Sequence, residues 1–129
     1  MSKIFIADDD VFISRMYERI LSLEKHEVVI AHDGLQALEL LKTMNPLPDI
    51  IALDVMMPKM NGLDLLKTIR TIDKLKNIPA VVLTNSYGKE YEKDFSELGV
   101  KKYLIKMENT PKEIVRKLEE VIKENSNIK

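Results

Sequence analysis

Ile50-Ile51-Ala52-Leu53-Asp54-Val55-Met56-Met57-Pro58-Lys59-Met60-Asn61-Gly62 is the stretch that decides the fold. Asp49–Leu53 is nearly all apolar, as expected for a strand covered on both faces. A carboxylate, Asp54, follows at once. Pro58–Gly62 then reads as a turn, and Leu65, Leu66, Ile69 and Ile72 recur at helical spacing beyond it. Strand, acidic loop and helix together make one βα unit.

The same unit recurs in both directions. Lys3–Ala7 reads as a strand, followed by Asp8-Asp9-Asp10 and a helix over Val11–Lys25 carrying Ile13, Met16, Tyr17 and Ile20. Asp10 is the expected N-cap. Glu27–Ala31 is a second strand. Its helix, entered after Asp33-Gly34, carries Leu38, Leu41 and Met44 and stops at Pro46 and Pro48. Pro79–Leu83 and Lys101–Ile105 are the fourth and fifth strands. Between them, Tyr87–Leu98 is expected to be helical on a thin stripe of Tyr91, Phe95 and Leu98. Gly99 is its C-cap, and the charged run Lys89–Asp94 is a solvated face. The last helix begins near Pro111, with Thr110 as N-cap and proline at the first helical position. Ile114, Val115, Leu118, Val121 and Ile122 form its buried face.

Five such units predict an α/β fold, a doubly wound parallel five-stranded (βα)5 sheet with right-handed crossovers. The 129 residues suit one domain, expected over 1–125 with a polar tail at 126–129. A 45% hydrophobic and 32% charged chain is globular. Net charge of −1 gives no global field toward nucleic acid or anionic membrane. The absence of cysteine excludes disulfides, thiol nucleophiles and thiolate metal sites. The two histidines, His26 and His32, read as surface residues. The amino terminus resembles neither a signal peptide nor a membrane span, so a cytoplasmic protein is expected.

Asp8, Asp9, Asp54, Thr84 and Lys106 each fall at or just past the carboxyl end of a strand. Open α/β sheets bind ligands along that edge. Three carboxylates close together are unfavourable unless some protonate or a cation binds. Hard oxygen ligands suit Mg²⁺, which keeps several waters and takes one or two protein carboxylates plus a phosphate oxygen. With Lys106 as a point charge and Thr84 as a hydroxyl donor, the set provides what phosphoryl transfer to an aspartate requires.

On Ile4–Asp10, Leu53–Gly62, Leu83-Thr84 and Tyr103–Lys106, in that order and along essentially the whole chain, the sequence resembles a response-regulator receiver domain of two-component signalling. The resemblance implies a flavodoxin-like sheet of order 2-1-3-4-5 and a receiver domain over 1–125. It implies that Asp54 accepts a phosphoryl group from a sensor histidine kinase or phosphotransfer protein. Asp9 directly, Asp8 partly through water, Asp54 and the Met56 carbonyl would hold Mg²⁺. Lys106 would contact the phosphoryl group or Asp54. Thr84 would move inward on activation and Tyr103 would turn from exposed to buried. The surface of helix four, strand five and helix five would then meet a downstream protein. Such a domain catalyses only its own phosphorylation and dephosphorylation. No direct binding of nucleic acid or membrane is expected, and an activation-linked homodimer is left open.

Two positions depart from the family pattern. Asn85 follows Thr84 where a small residue is usual. Met107 follows Lys106 where proline is usual, often after a cis bond. A cis bond before methionine would cost about 2.5–4 kcal/mol, so a trans bond with a rearranged loop or a strained cis bond is expected. These departures motivate the alternative of a phosphorylation-independent pseudo-receiver binding module. A Mg²⁺-dependent phosphohydrolase is disfavoured, because Met56 occupies the place of a second acid. Met56, Met57 and Met60 read as loop packing or partner surface. No output domain follows the last helix, so a stand-alone regulator and an excised receiver both fit.

Overall fold

Strands and helices alternate throughout the computed structural model, which describes residues 2–85 and 91–127. They are β1 (Lys3–Ala7), α1 (Val11–Leu23), β2 (Glu27–Ala31), α2 (Gly34–Thr43), β3 (Ile50–Leu53) and α3 (Gly62–Ile69). Then follow β4 (Ala80–Thr84), α4 (Glu92–Glu97), β5 (Lys102–Ile105) and α5 (Pro111–Asn127). All strand pairs are parallel and the order is β2-β1-β3-β4-β5.

Period-two alternation divides the apolar strand residues between two cores. Phe5, Ala7, Ile51, Leu53, Ala80 and Val82 face one way, onto Ala37, Leu38 and Leu41 of α2, Leu65, Leu66 and Ile69 of α3, and Phe95 of α4. Ile4, Ile6, Ile50, Ala52, Val81, Leu83 and Leu104 face the other, onto Tyr17 and Leu21 of α1 and Ile114, Val115, Leu118 and Val121 of α5. Helices cover both faces, so the ends of the strands remain as places where polar side chains can gather.

The caps match the sequence. Asp10 accepts from the Ile13 N–H and Asp33 from the Gln36 N–H. Thr110 Oγ1 accepts from the Glu113 N–H, while Glu113 accepts from the Thr110 N–H, a reciprocal capping box. Gly99 has φ +77°, the left-handed C-cap conformation.

Several boundaries differ from expectation. Helix α5 continues to Asn127, so 126 and 127 of the expected tail are helical. Met16 is half-exposed, and Ser14 takes the inward place on α1, its hydroxyl donating to the Val11 carbonyl. Ile72 lies beyond α3, in the following turn. The helix expected from Tyr87 is described only as Glu92–Glu97, and residues 87–90 lie outside the described part. Among the described residues no helix is long and apolar enough to cross a membrane.

Candidate functional site

The sheet register assembles the site. Ala7 pairs with Leu53, so Asp8 and Asp54 are neighbours one residue past the strand ends. The ladder extends to both: the Asp8 N–H donates to the Ala31 carbonyl at 2.9 Å, and the Asp54 N–H to the Ala7 carbonyl at 2.9 Å. Thr84 pairs with Ile105, so Lys106 leaves the sheet at the same edge. Sheet hydrogen bonds therefore fix the backbones under Asp8 and Asp54.

Lys106 Nζ lies 2.5 Å from Asp8 Oδ2 and 3.3 Å from Asp54 Oδ2. All three side chains are buried. Asp9 is exposed, yet one carboxylate oxygen from each of Asp8, Asp9 and Asp54 lies within 4.8 Å of the others. Thr84 is fully buried. Tyr103 is half-buried, its ring 6.0 Å from that of Phe95 at a tilt of 49°. Met56 is exposed, whereas Met57 is buried in the core.

One ammonium faces two buried carboxylates, and it sits nearer to Asp8. Burial, opposed by Lys106 and aided by the charge of Asp8, raises the Asp54 carboxyl to about 6. Burial works against the Lys106 ammonium, but the two carboxylates outweigh it and hold its pKa above the ordinary value. The residual excess of negative charge, with Asp9 at the mouth, is an environment that favours a hard divalent cation.

The loop after Asp54 is held close to it. The Gly62 N–H donates to the Val55 carbonyl at 2.8 Å. A Cβ on Gly62 would lie 2.0 Å from the Asp54 carbonyl oxygen. Glycine is required there by close approach, not by φ. We expect Gly62→Ala to destabilise the fold by about 3 kcal/mol, the upper end of overpacking costs, measured by urea unfolding. A midpoint equal to that of the wild type would mean that the loop yields freely.

Some site features were not read from the sequence. His32 is exposed, but its Nδ1 donates to the Asp8 carbonyl at 3.1 Å, tying the start of the β2–α2 loop to β1. Tyr17, 1% exposed on α1, has its phenol pKa raised by burial and then by the charges of Asp8, Asp54 and Asp10. Phe12, Met56 and Met107 are 77%, 62% and 69% exposed. They lie three residues after Asp9, two after Asp54 and one after Lys106, which gives the acidic edge an apolar rim.

His26 corrects the expectation of a surface histidine. It is half-buried, and its Nδ1 accepts from the Ser2 N–H at 3.1 Å. Its Nε2 therefore carries the proton and donates to Glu119 Oε2 at 2.9 Å. Glu24 lies close enough to complete a three-residue group. A metal on Nε2 would need a proton on Nδ1, facing the Ser2 N–H. The group is better explained as a hydrogen-bonded link between β2 and α5.

The chain after Lys106 settles the question raised by Met107. Among the described residues the cis peptide is Asn45–Pro46, so Lys106–Met107 is trans. Lys106–Glu108 forms a 3₁₀ turn before α5.

The family model described as "Response regulator receiver domain" matches residues 4–119. The chain belongs to this family. It is 37% identical over 124 residues to the transcriptional regulatory protein CpxR of Escherichia coli K12, covering 95% of this chain and 50% of that protein. It thus spans about half the length of that relative. The chemotaxis response regulator CheY4 of Vibrio cholerae superposes with TM-score 0.83 at 29% identity, covering 94% of this chain and 98% of that one. The Mn²⁺-bound response regulator Rcp1 superposes with TM-score 0.78 at 32% identity, covering 92% and 88%. The chain's domain type is thus the regulatory receiver of two-component signalling.

Proposed function

We propose that this receiver is a phosphorylation switch in which Asp54 is the acceptor. The observation that carries the reading is the buried Lys106 ammonium shared by Asp8 and Asp54, with the Asp9 carboxylate close by. An Asp54 carboxylate oxygen attacks the phosphorus of a phosphohistidine on a histidine kinase or phosphotransfer protein. The P–N bond breaks and the imidazole takes up a proton as it leaves. Lys106 offsets charge on an equatorial phosphoryl oxygen, and the sheet-anchored backbone holds Asp54 in line. The acid set fits Mg²⁺, with Asp8, Asp9, Asp54 and the Met56 carbonyl as its protein ligands. When bound, Mg²⁺ neutralises charge on the phosphoryl oxygens. The Mn²⁺-bound form of Rcp1 supports divalent binding in this family.

The apolar rim of Phe12, Met56 and Met107 favours a macromolecular donor that docks around the site. Thr84 bonds the new phosphoryl group, Tyr103 turns further in, and the α4–β5–α5 surface changes for a downstream protein. The ring sits half-buried, 6.0 Å from that of Phe95, before any such turn.

Beryllofluoride with Mg²⁺ should shift the amide signals of Thr84 and Tyr103 in the wild type. The same additions should leave Asp54→Asn unchanged. A silent wild type would exclude the switch and favour a pseudo-receiver.

A further inference from the structure

Asn109 lies where the chain passes from the Lys106 turn into α5. Its Nδ2 donates to the Ile105 carbonyl at 3.0 Å, and its Oδ1 accepts from Lys117 Nζ at 2.6 Å. Its backbone N–H donates to the Lys106 carbonyl at a long 3.3 Å. A carbonyl only accepts and an ammonium only donates, so the two partners fix the orientation of the amide. The side chain thus joins the end of β5, across the 3₁₀ turn, to α5.

Lys106 needs such support. Its long stem loses considerable rotamer freedom when held between two carboxylates. The residue after it is an exposed methionine, with no ring to restrict the backbone. The turn's own backbone hydrogen bond, at 3.3 Å, is weak. The two side-chain bonds of Asn109, at 3.0 and 2.6 Å, are both shorter than it.

We infer that Asn109, braced by Lys117, is a positioning residue for Lys106. It touches neither the acceptor nor the phosphoryl group. It fixes the backbone from which the ammonium reaches Asp8 and Asp54. The functional consequence rests on the switch reading above; the structural one does not. Aspartate would keep the contact to Lys117 but set a carboxylate against the Ile105 carbonyl. Asn109→Asp should therefore fail to restore what Asn109→Ala removes.

Two readouts test the assignment. The first is the ¹⁵N ammonium signal of Lys106 in metal-free protein, which burial and pairing keep slow to exchange. It should broaden or vanish in Asn109→Ala and Asn109→Asp. It should persist in Thr110→Ala, which weakens the start of α5 without touching the brace. An unchanged signal in Asn109→Ala, or equal loss in Thr110→Ala, overturns the inference whatever Asp54 does. The second is beryllofluoride affinity at saturating Mg²⁺, expected to fall about tenfold in Asn109→Ala, as for other supporting partners. Mg²⁺ affinity should stay within about twofold, since the Asp8 N–H donates to the Ala31 carbonyl and Asp8 Oδ1 accepts from the Asp10 N–H, contacts independent of Asn109. Equal beryllofluoride affinity in the two proteins would refute the positioning role. A wild type that ignores beryllofluoride would refute the switch reading, while the ammonium signal still decides the case of Asn109.

Discussion

Asparagine in place of Asp54 is expected to make the metal-free protein more stable near neutral pH and inert to phosphodonors. The folded protein holds the Asp54 proton up to about 6, against an ordinary 3.8. Between those values the folded state binds more protons than the unfolded chain, so stability falls as pH rises. Below about pH 4 the carboxyl is neutral in both states and the two proteins should converge. Above about pH 6 the wild type bears the full cost of a buried charge beside Asp8, and the variant does not. Each tenfold change in proton affinity is worth about 1.4 kcal/mol, so a rise from 3.8 to about 6 makes the gain on the order of 3 kcal/mol. Lys106 keeps its 2.5 Å contact to Asp8 in the variant, so no unpaired ammonium offsets the gain. Mg²⁺ is expected to reverse the order, because a cation held by the acid set would stabilise the wild type by mass action. Urea unfolding at acidic and neutral pH, with and without Mg²⁺, checks all four points. A less stable variant at neutral pH without metal would mean that attraction to Lys106 outweighs burial and repulsion. An amide cannot act as the acceptor nucleophile, so incorporation from a phosphoramidate should fall by about three orders of magnitude or more.

The elements that supply this site were legible because strand ends follow directly from chain pattern. Asp49–Leu53 reads as a strand covered on both faces, and a parallel sheet puts Asp8, Asp54, Thr84 and Lys106 on one edge. The capping residues Asp10 and Thr110 were legible for a similar reason, since a cap is a property of a few adjacent residues. The inequality among the acids was not. Asp8 and Asp9 are adjacent in sequence, but the pleat buries one and exposes the other. The links made by His26 and His32 join residues far apart in the chain, and local pattern carries no such information. The departure at Met107 was visible, but its remedy was not. Asn109 reads as an ordinary loop residue until Lys117, two turns into α5, is brought against it. Helix α4 was the weakest expectation because charged residues dilute its stripe, and only Phe95 of that helix is fully buried.

Lys106→Met should be the most damaging single exchange at the site near neutral pH. It keeps most of the side-chain volume and removes the ammonium that, among the described residues, is paired with both Asp8 and Asp54. Breaking a buried pair from one side costs about 3–5 kcal/mol, because the remaining charge is left uncompensated. Here two charges remain. The damage should therefore depend on conditions: acidification protonates Asp54 and restores much of the loss, beginning at a higher pH than in the wild type because Lys106 no longer lowers the Asp54 pKa, and Mg²⁺ should restore it by supplying a replacement cation. A cavity or lost apolar contact would respond to neither. Asp54→Asn tests the same point from the other side. In that background only Asp8 is stranded by Lys106→Met, so the lysine exchange should cost about half as much as in the wild type, a coupling on the order of 2 kcal/mol. If the two exchanges prove additive, the 3.3 Å contact between Lys106 and Asp54 carries no energy, and Lys106 belongs to Asp8 alone.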